Sequence, residues 1–287
     1  MKIFTLFRRG EVYAPGVWQE DLDTNPAYSA SVIHVPAGAE VEMMSDPILV
    51  QSMYILEGSL EVRVSTSQGV ELEKNSYTEY TGWSLLPGQA QYMRANTDSL
   101  VFSVVGKVNP GQLTDRTGKN PILPNKINNL SDYTVTKPWG SEGWLVENGV
   151  YVLKGITMTA GSECSLQLHE RKTEINLILS GSAKVSVGYD DSISKKIICH
   201  REAGEEQATF SVNAEELPSI KNSLQSRTIG RYEGWKSQPF QIHQVLSLET
   251  YFALEVSTPE VDDIIRLKDL YNRPGGRIAS EHANPKV

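Results

Sequence analysis

The sequence predicts an all-β protein of two jelly-roll-like barrels in tandem, with a short helix near the C-terminus. Three observations predict it. Short runs rich in β-branched and aromatic residues recur along the chain, bounded by Gly, Pro, Asn or Asp. Long helical periodicity is nearly absent. The 287 residues exceed the usual single-domain size, so two units that each bury their own core are expected.

The strand-like runs, in order, are 29–35, 47–56, 59–65, 99–106, 151–158, 175–181, 183–189, 240–248 and 251–257. Short, evenly spaced strands favour closed barrels and sandwiches. Between Val108 and Thr136 the rhythm is interrupted by a stretch rich in Pro, Gly, Asn and Asp, which reads as a linker. This gives an N-terminal domain at 1–110, a linker at 111–135 and a C-terminal domain at 136–287. The halves echo one another: Ile55-Leu56-Glu57-Gly58-Ser59-Leu60 and Leu179-Ser180-Gly181-Ser182-Ala183 are both apolar strand, glycine turn, strand, as in a duplicated barrel. The best helix candidate runs from Pro259 through Tyr271, where Ile264, Ile265, Leu267 and Leu270 alternate with charges and Asp262 could pair with Arg266.

Composition excludes some functions. The net charge of −8 does not supply the clustered Lys and Arg that nucleic acid needs, although one small phosphorylated ligand could still find a basic pocket. No apolar run is long enough for a signal peptide or a membrane span, so the reading is cytoplasmic, with no membrane partner. Cys164 and Cys199 are too few for a disulfide scaffold and read as small buried residues.

The chemistry is carried by Gly161 through Gly181. On an extended strand, side chains two apart share a face, so Gln167 and His169 would project together into the barrel. Glu174 would return on the next strand, and His243 lies on a later apolar one. Donors of O, N, O and N type converging in a barrel mouth would suit one divalent transition metal with open positions: Zn first, with Mn, Fe, Co or Ni also accepted by such ligands. Taken singly, His169 with Glu174 could be a solvated turn, and His243 a core histidine.

The spacing of Gly161, Gln167, His169, Glu174 and Gly181 resembles the first cupin motif, with Gln where many cupins have a His. Ser165-Leu166-Gln167 is similar to the cupin domain of type II mannose-6-phosphate isomerases. So are Lys137-Pro138-Trp139-Gly140, Leu254-Glu255-Val256-Ser257 and the segment Asp262 to Arg273. The resemblance implies a double-stranded β-helix, metal ligation by Gln167, His169, Glu174 and His243, and an anionic sugar held by Lys154, Arg266 and Arg273. Two features depart from the family: Pro239-Phe240-Gln241-Ile242-His243 is one residue short, and the insert from Tyr189 to Lys236 is long.

The function so implied is a metal-dependent isomerase of mannose 6-phosphate or a related sugar phosphate. Lys154, Glu170 and Asp263 are all possible bases, and Arg266 and Arg273 are the expected phosphate clamp. The alternatives are a bicupin that binds a sugar or metal without turnover and, further off, an iron-dependent dioxygenase. The first half reads as a cupin without metal, with Tyr92 where a ligand His would stand and a structural or dimerising role. A homodimer is expected from barrel-edge strands. His34 reads as a satisfied, half-buried histidine. Glu170, Arg171 and Lys172 read as a solvated turn, and Trp139 as a plug for the barrel end. Arg231, Tyr232 and Trp235 could line a sugar pocket or belong to a covering loop.

Overall fold

A computed structural model describes residues 2–5, 11–14, 16–44, 46–109, 113–114, 123, 126–128, 133–206 and 210–282. The chain forms two compact units. One comprises Thr5–Ser131 with Leu145–Leu153, and the other comprises Met1–Phe4, Asp132–Trp144 and Lys154–Val287. Most of the expected linker lies outside the described residues, but within it Ile127 bridges Gly82 and is buried.

The first unit packs a six-stranded sheet against a four-stranded one. Edge to edge the larger runs Glu11–Ala14, Val17–Thr24, Tyr28–Val35, Ser99–Lys107, Leu49–Glu57 and Gly82–Leu85, and the smaller Glu40–Met43, Gln89–Ala95, Ser59–Thr66 and Glu71–Thr78. Alternate residues of both sheets, among them Ile33, Met53, Ile55, Val62, Trp83 and Met93, form one core. Trp83 is fully buried, and truncating a side chain of that size to Ala costs ~3–5 kcal/mol.

The second unit repeats the plan. Its seven-stranded sheet runs Lys2–Thr5, Glu233–Ser237, Glu174–Ser180, Tyr251–Ser257, Val152–Met158, Gly140–Glu147 and Thr134–Lys137. Its five-stranded sheet runs Gln225–Ile229, Ala183–Gly188, Ile242–Ser247, Leu166–His169 and Ile264–Lys268. All nine strand-like runs read from the sequence are strands. The echoed turns are real: Gly58 and Gly181 have φ of 88° and 77°, and a Cβ there would lie 2.4 Å from Asp98 O and Thr250 O respectively. Only glycine fits both the left-handed backbone and the close approach.

Helices occupy places the sequence reading did not assign. The insert folds into Asp191–Glu202 and Glu216–Asn222. The first is capped by Asp190, whose Oδ1 accepts from the N–H groups of Ser192 and Ile193. Ile193 and Ile197, four apart, pack with Leu166, Leu168, Ile242, Ile265 and Leu267 on the outer side of the five-stranded sheet. Cys199 is exposed on this helix rather than buried. The short C-terminal helix is present at Ala279–His282. The expected helix at 259–271 is instead centred on the strand Ile264–Lys268, paired with Leu166–His169. Ile264, Leu267 and Leu270 give the helical spacing, but Leu270 is exposed, and Ile265 and Leu267, two apart, share a face beneath the insert helices only in the extended form.

Candidate metal centre

Strict alternation along Leu166–His169 builds the site. Leu166 and Leu168 are fixed beneath the insert helices, so Gln167 and His169 face the barrel interior. Gln167 stands directly opposite His243 in the antiparallel register. Glu174 opens the strand of the facing sheet, between Ser237 and Ser257. Ligand atoms of His169, Glu174 and His243 all lie within 4.8 Å of one another, and all three side chains are buried.

The hydrogen bonds around the two imidazoles settle which nitrogens face inward. His169 Nδ1 lies 2.9 Å from Asp263 Oδ1 and donates to it. His243 Nδ1 donates to Gln241 O at 3.1 Å, with Ser237 Oγ at the same distance. Each ring therefore turns its Nε2 toward the cluster, the arrangement metal-bound histidines adopt. His169 Nε2 is buried with no hydrogen-bond partner, a cost of ~1–3 kcal/mol that a bound cation would remove. Burial lowers the His243 pKa to about 4 against the pull of Glu174, so the ring is neutral at physiological pH, as ligation requires.

Glu174 presents Oε1 to His243 Nε2 at 3.6 Å, while its Oε2 accepts from Lys172 Nζ. Burial would raise the Glu174 carboxyl, but Lys172 and the two histidines hold it well below the usual carboxylate range. Gln167 turns its amide nitrogen to His243 Nε2 at 3.1 Å and its oxygen to Ser165 Oγ. A half-turn of the amide would present the oxygen to the cluster, with Ser165 then accepting. Two imidazoles, a carboxylate and an amide oxygen fit a borderline divalent metal.

An alternating ladder of charge leads away from this cluster. Lys172 Nζ contacts Glu255 at 3.0 Å, Glu255 contacts Lys154 at 3.5 Å, Lys154 contacts Glu142 at 3.6 Å and Glu142 contacts Lys137 at 3.6 Å. Lys154 Nζ also sits 4.3 Å from the centre of the Trp144 ring. Burial opposes ionisation of Glu142, yet Lys154 and Lys137 carry its pKa down to about 2.

One cavity joins these groups. Gln167, His169, Glu174, His243, Lys154, Arg266 and Arg273 all line it. Asp263 lies behind His169, its Oδ2 taken by the N–H groups of Arg171 (2.7 Å) and Lys172 (2.9 Å). Glu170 does not line the cavity. It pairs with Arg201 at 3.6 Å beside a separate cleft. Lys172 is buried against Glu174 rather than solvated. Sequence reading missed it, together with Glu142 and the inward role of Glu255. The signal was a charged residue at an inward parity: Lys172 and Glu174 are two apart, and Glu255 interrupts an apolar strand. Trp139 is buried in the barrel core and Trp235 lines the cavity, whereas Arg231 stacks on Tyr232 with its guanidinium 4.5 Å from the ring centre.

In the first barrel the equivalent register pairs Gln91 with Met43. Gln91, not Tyr92, faces inward. Its Oε1 accepts from Trp83 Nε1 at 2.7 Å and its amide reaches Met43 Sδ at 2.9 Å. No group of three or more metal-ligating side chains forms there among the described residues. His34 is half-buried and lies tilted against Trp18, with ring centres 5.0 Å apart, but it is not the satisfied histidine expected, because its Nδ1 is buried with no hydrogen-bond partner among the described residues.

The mannose-6-phosphate isomerase C-terminal family matches residues 125–201, a span that holds Gln167, His169 and Glu174 but not His243. No curated protein matches the chain by sequence. Solved structures share its fold. An oxalate decarboxylase studied for a reaction-specificity switch has a TM-score of 0.61 at 11% identity, over 92% of this chain and 79% of that one. The oxalate decarboxylase of Lactobacillus farciminis, in a formate complex, has a TM-score of 0.58 at 12% identity, over 92% and 88%. A cupin 2 conserved barrel domain protein from Leptotrichia buccalis has a TM-score of 0.51 at 12% identity, over 90% and 95%. Among the described residues no helix is long and apolar enough to cross a membrane. The chain thus has the two-barrel fold of these structures, and its residues 125–201 are similar to the mannose-6-phosphate isomerase C-terminal family.

Proposed function

We propose that the second barrel is the active site of a metal-dependent sugar-phosphate isomerase acting on mannose 6-phosphate or a close relative. The observation that carries this reading is the convergence of His169, Glu174 and His243 on a cavity that also holds a buried amine, Lys154. Aldose–ketose interconversion must remove a weakly acidic proton beside a carbonyl and return it to the neighbouring carbon. A divalent metal held by Gln167, His169, Glu174 and His243 would supply Lewis-acid polarisation of the carbonyl oxygen, Zn being the first choice for this donor set.

Of the three candidate bases, Lys154 is the one that lines the cavity. Its amine lies between Glu142 and Glu255, at 3.6 and 3.5 Å, and these two contacts hold it at the cavity wall. The face of Trp144 beneath the amine fixes its position. Asp263 serves by orienting His169. Lys172 balances the charge of Glu174 and so keeps one carboxylate oxygen directed at the cluster.

Metal-loaded protein in deuterated water will exchange the C2 proton of mannose 6-phosphate and a C1 proton of fructose 6-phosphate, followed by NMR. Lys154→Met will abolish exchange while leaving metal content intact. Absence of exchange with either sugar phosphate, in protein carrying stoichiometric metal, would return the reading to a bicupin that binds a sugar or metal without turnover.

A further inference from the structure

One wall of the cavity is made by the C-terminal segment, through Arg273, Gly276, Arg277, Ile278 and His282. The cationic side chains lining the cavity are otherwise committed. Lys137 is bound to Glu281 at 2.9 Å, and Lys154 and Lys172 belong to the charge ladder described above. Arg273 is held by Asp269 at 2.7 Å and by Glu281 at 3.1 Å. Arg266, one of the two arginines expected to clamp phosphate, donates through Nη1 to the backbone carbonyls of Pro274 and Gly276, and its Nε is buried with no hydrogen-bond partner among the described residues. Arg277 alone among these lining cations has no hydrogen bond or ion pair among the described residues, and it is exposed while bordering the cavity.

The backbone that carries Arg277 is anchored on both sides. Before it, Gly276 N–H donates to Ile264 O at 2.7 Å, and Gly276 O accepts from Arg266 at 2.9 Å. After it, Glu281 bridges Lys137 and Arg273, and His282 Nδ1 lies 2.9 Å from the Tyr133 hydroxyl. An unengaged guanidinium can take an anion without giving up an existing pair, and its fork matches the oxygens of a phosphate or carboxylate.

We propose that Arg277 takes the anionic group of the substrate, and that Glu281 is a positioning residue that holds the Arg277 segment against the cavity. Arg266 and Arg273 are then scaffold for this contact. The proposal rests on the sugar-phosphate reading for the identity of the ligand, but the anion contact itself does not.

The test is calorimetric titration of the metal-loaded protein with fructose 6-phosphate and, separately, with inorganic phosphate. Arg277→Ala will weaken fructose 6-phosphate binding at least about tenfold, as expected for loss of a charge-assisted hydrogen-bonding pair. Arg277→Lys will weaken it less, and metal content will be unchanged in both. Glu281→Gln will weaken binding in the wild-type background, yet the Arg277→Ala/Glu281→Gln double variant will bind no worse than Arg277→Ala alone. A merely structural role for Glu281 would add in the double variant, and would overturn the positioning claim. Fructose 6-phosphate affinity within twofold of wild type in Arg277→Ala would overturn the proposal and leave the isomerase reading standing. If wild type binds inorganic phosphate in an Arg277-dependent way but not fructose 6-phosphate, the isomerase reading fails and the anion site stands. Phosphate binding that ignores Arg277, or no anion binding at all, removes the site.

Discussion

His169 and Asp263, ninety-four residues apart in sequence, are joined by a 2.9 Å hydrogen bond from Nδ1 to Oδ1, and the turn that follows His169 supplies two N–H groups to the other oxygen of the same carboxylate. The backbone therefore fixes the carboxylate, and the ring cannot rotate without breaking its bond to it. Groups that orient a ligating imidazole are typically worth ten- to a hundredfold in metal affinity. Asp263→Ala will raise the metal dissociation constant by about that factor, measured by competition with a chromophoric chelator. An unchanged constant would mean that packing alone holds His169.

Lys172 is enclosed by two carboxylates, Glu174 and Glu255, and the three side chains are nearly inaccessible. Removing one partner of a buried pair leaves the others uncompensated, at a cost of ~3–5 kcal/mol. Lys172→Met will lower the urea-unfolding free energy of metal-free protein by about that much. A change under about 0.5 kcal/mol, the usual size for a surface position, would return Lys172 to the solvated turn that its sequence context suggested.

The acid limb of stability has an identifiable contributor in Glu142. Its pKa falls from 4.5 in the unfolded chain to about 2 in the fold, through Lys154 and Lys137. A depressed carboxylate stabilises the fold above pH 4.5, and that contribution is lost as pH falls from 4.5 through about 2. The full shift corresponds to at most about 3 kcal/mol. Wild type will lose more stability than Glu142→Gln between pH 5 and pH 2.5, because the other buried carboxylates are common to both proteins. Parallel curves in chemical denaturation would assign the acid transition elsewhere.

The interior of the first barrel makes a separate prediction. Gln91→Leu leaves Trp83 Nε1 buried without an acceptor, so stability will fall by ~1–3 kcal/mol. Metal content per chain will not change. A variant that lost metal would place a cation in the barrel where Gln91, Gln51 and Met43 now bond one another.

Much of this was legible before the coordinates. Strands with one buried face announce themselves by period-two patterning, and the glycine turns at Gly58 and Gly181 marked the duplication. Gln167, His169, Glu174 and His243 could be named because their spacing survives in one dimension. The ladder of Lys172, Glu255, Lys154 and Glu142 could not, because its members come from three strands and the turn after His169, and charge alone does not distinguish a buried pair from a solvated one. The strand at Ile264–Lys268 was hidden for a related reason: Ile264, Leu267 and Leu270 have helical spacing, and only the packing of Ile265 and Leu267 beneath the insert helices shows the period of two. Arg266 and Arg273 had the right chemistry for a phosphate clamp, but their partners, Gly276, Asp269 and Glu281, are a matter of folded geometry.

The most direct test of the whole account is the metal content of purified, reconstituted protein, measured by plasma mass spectrometry for wild type beside His169→Ala and His243→Ala. The account predicts one divalent ion per wild-type chain and little or none in either variant, with both variants folded by circular dichroism. Wild type that holds no ion after reconstitution with Zn or Mn, or variants that keep a full complement, would contradict a centre built from these side chains.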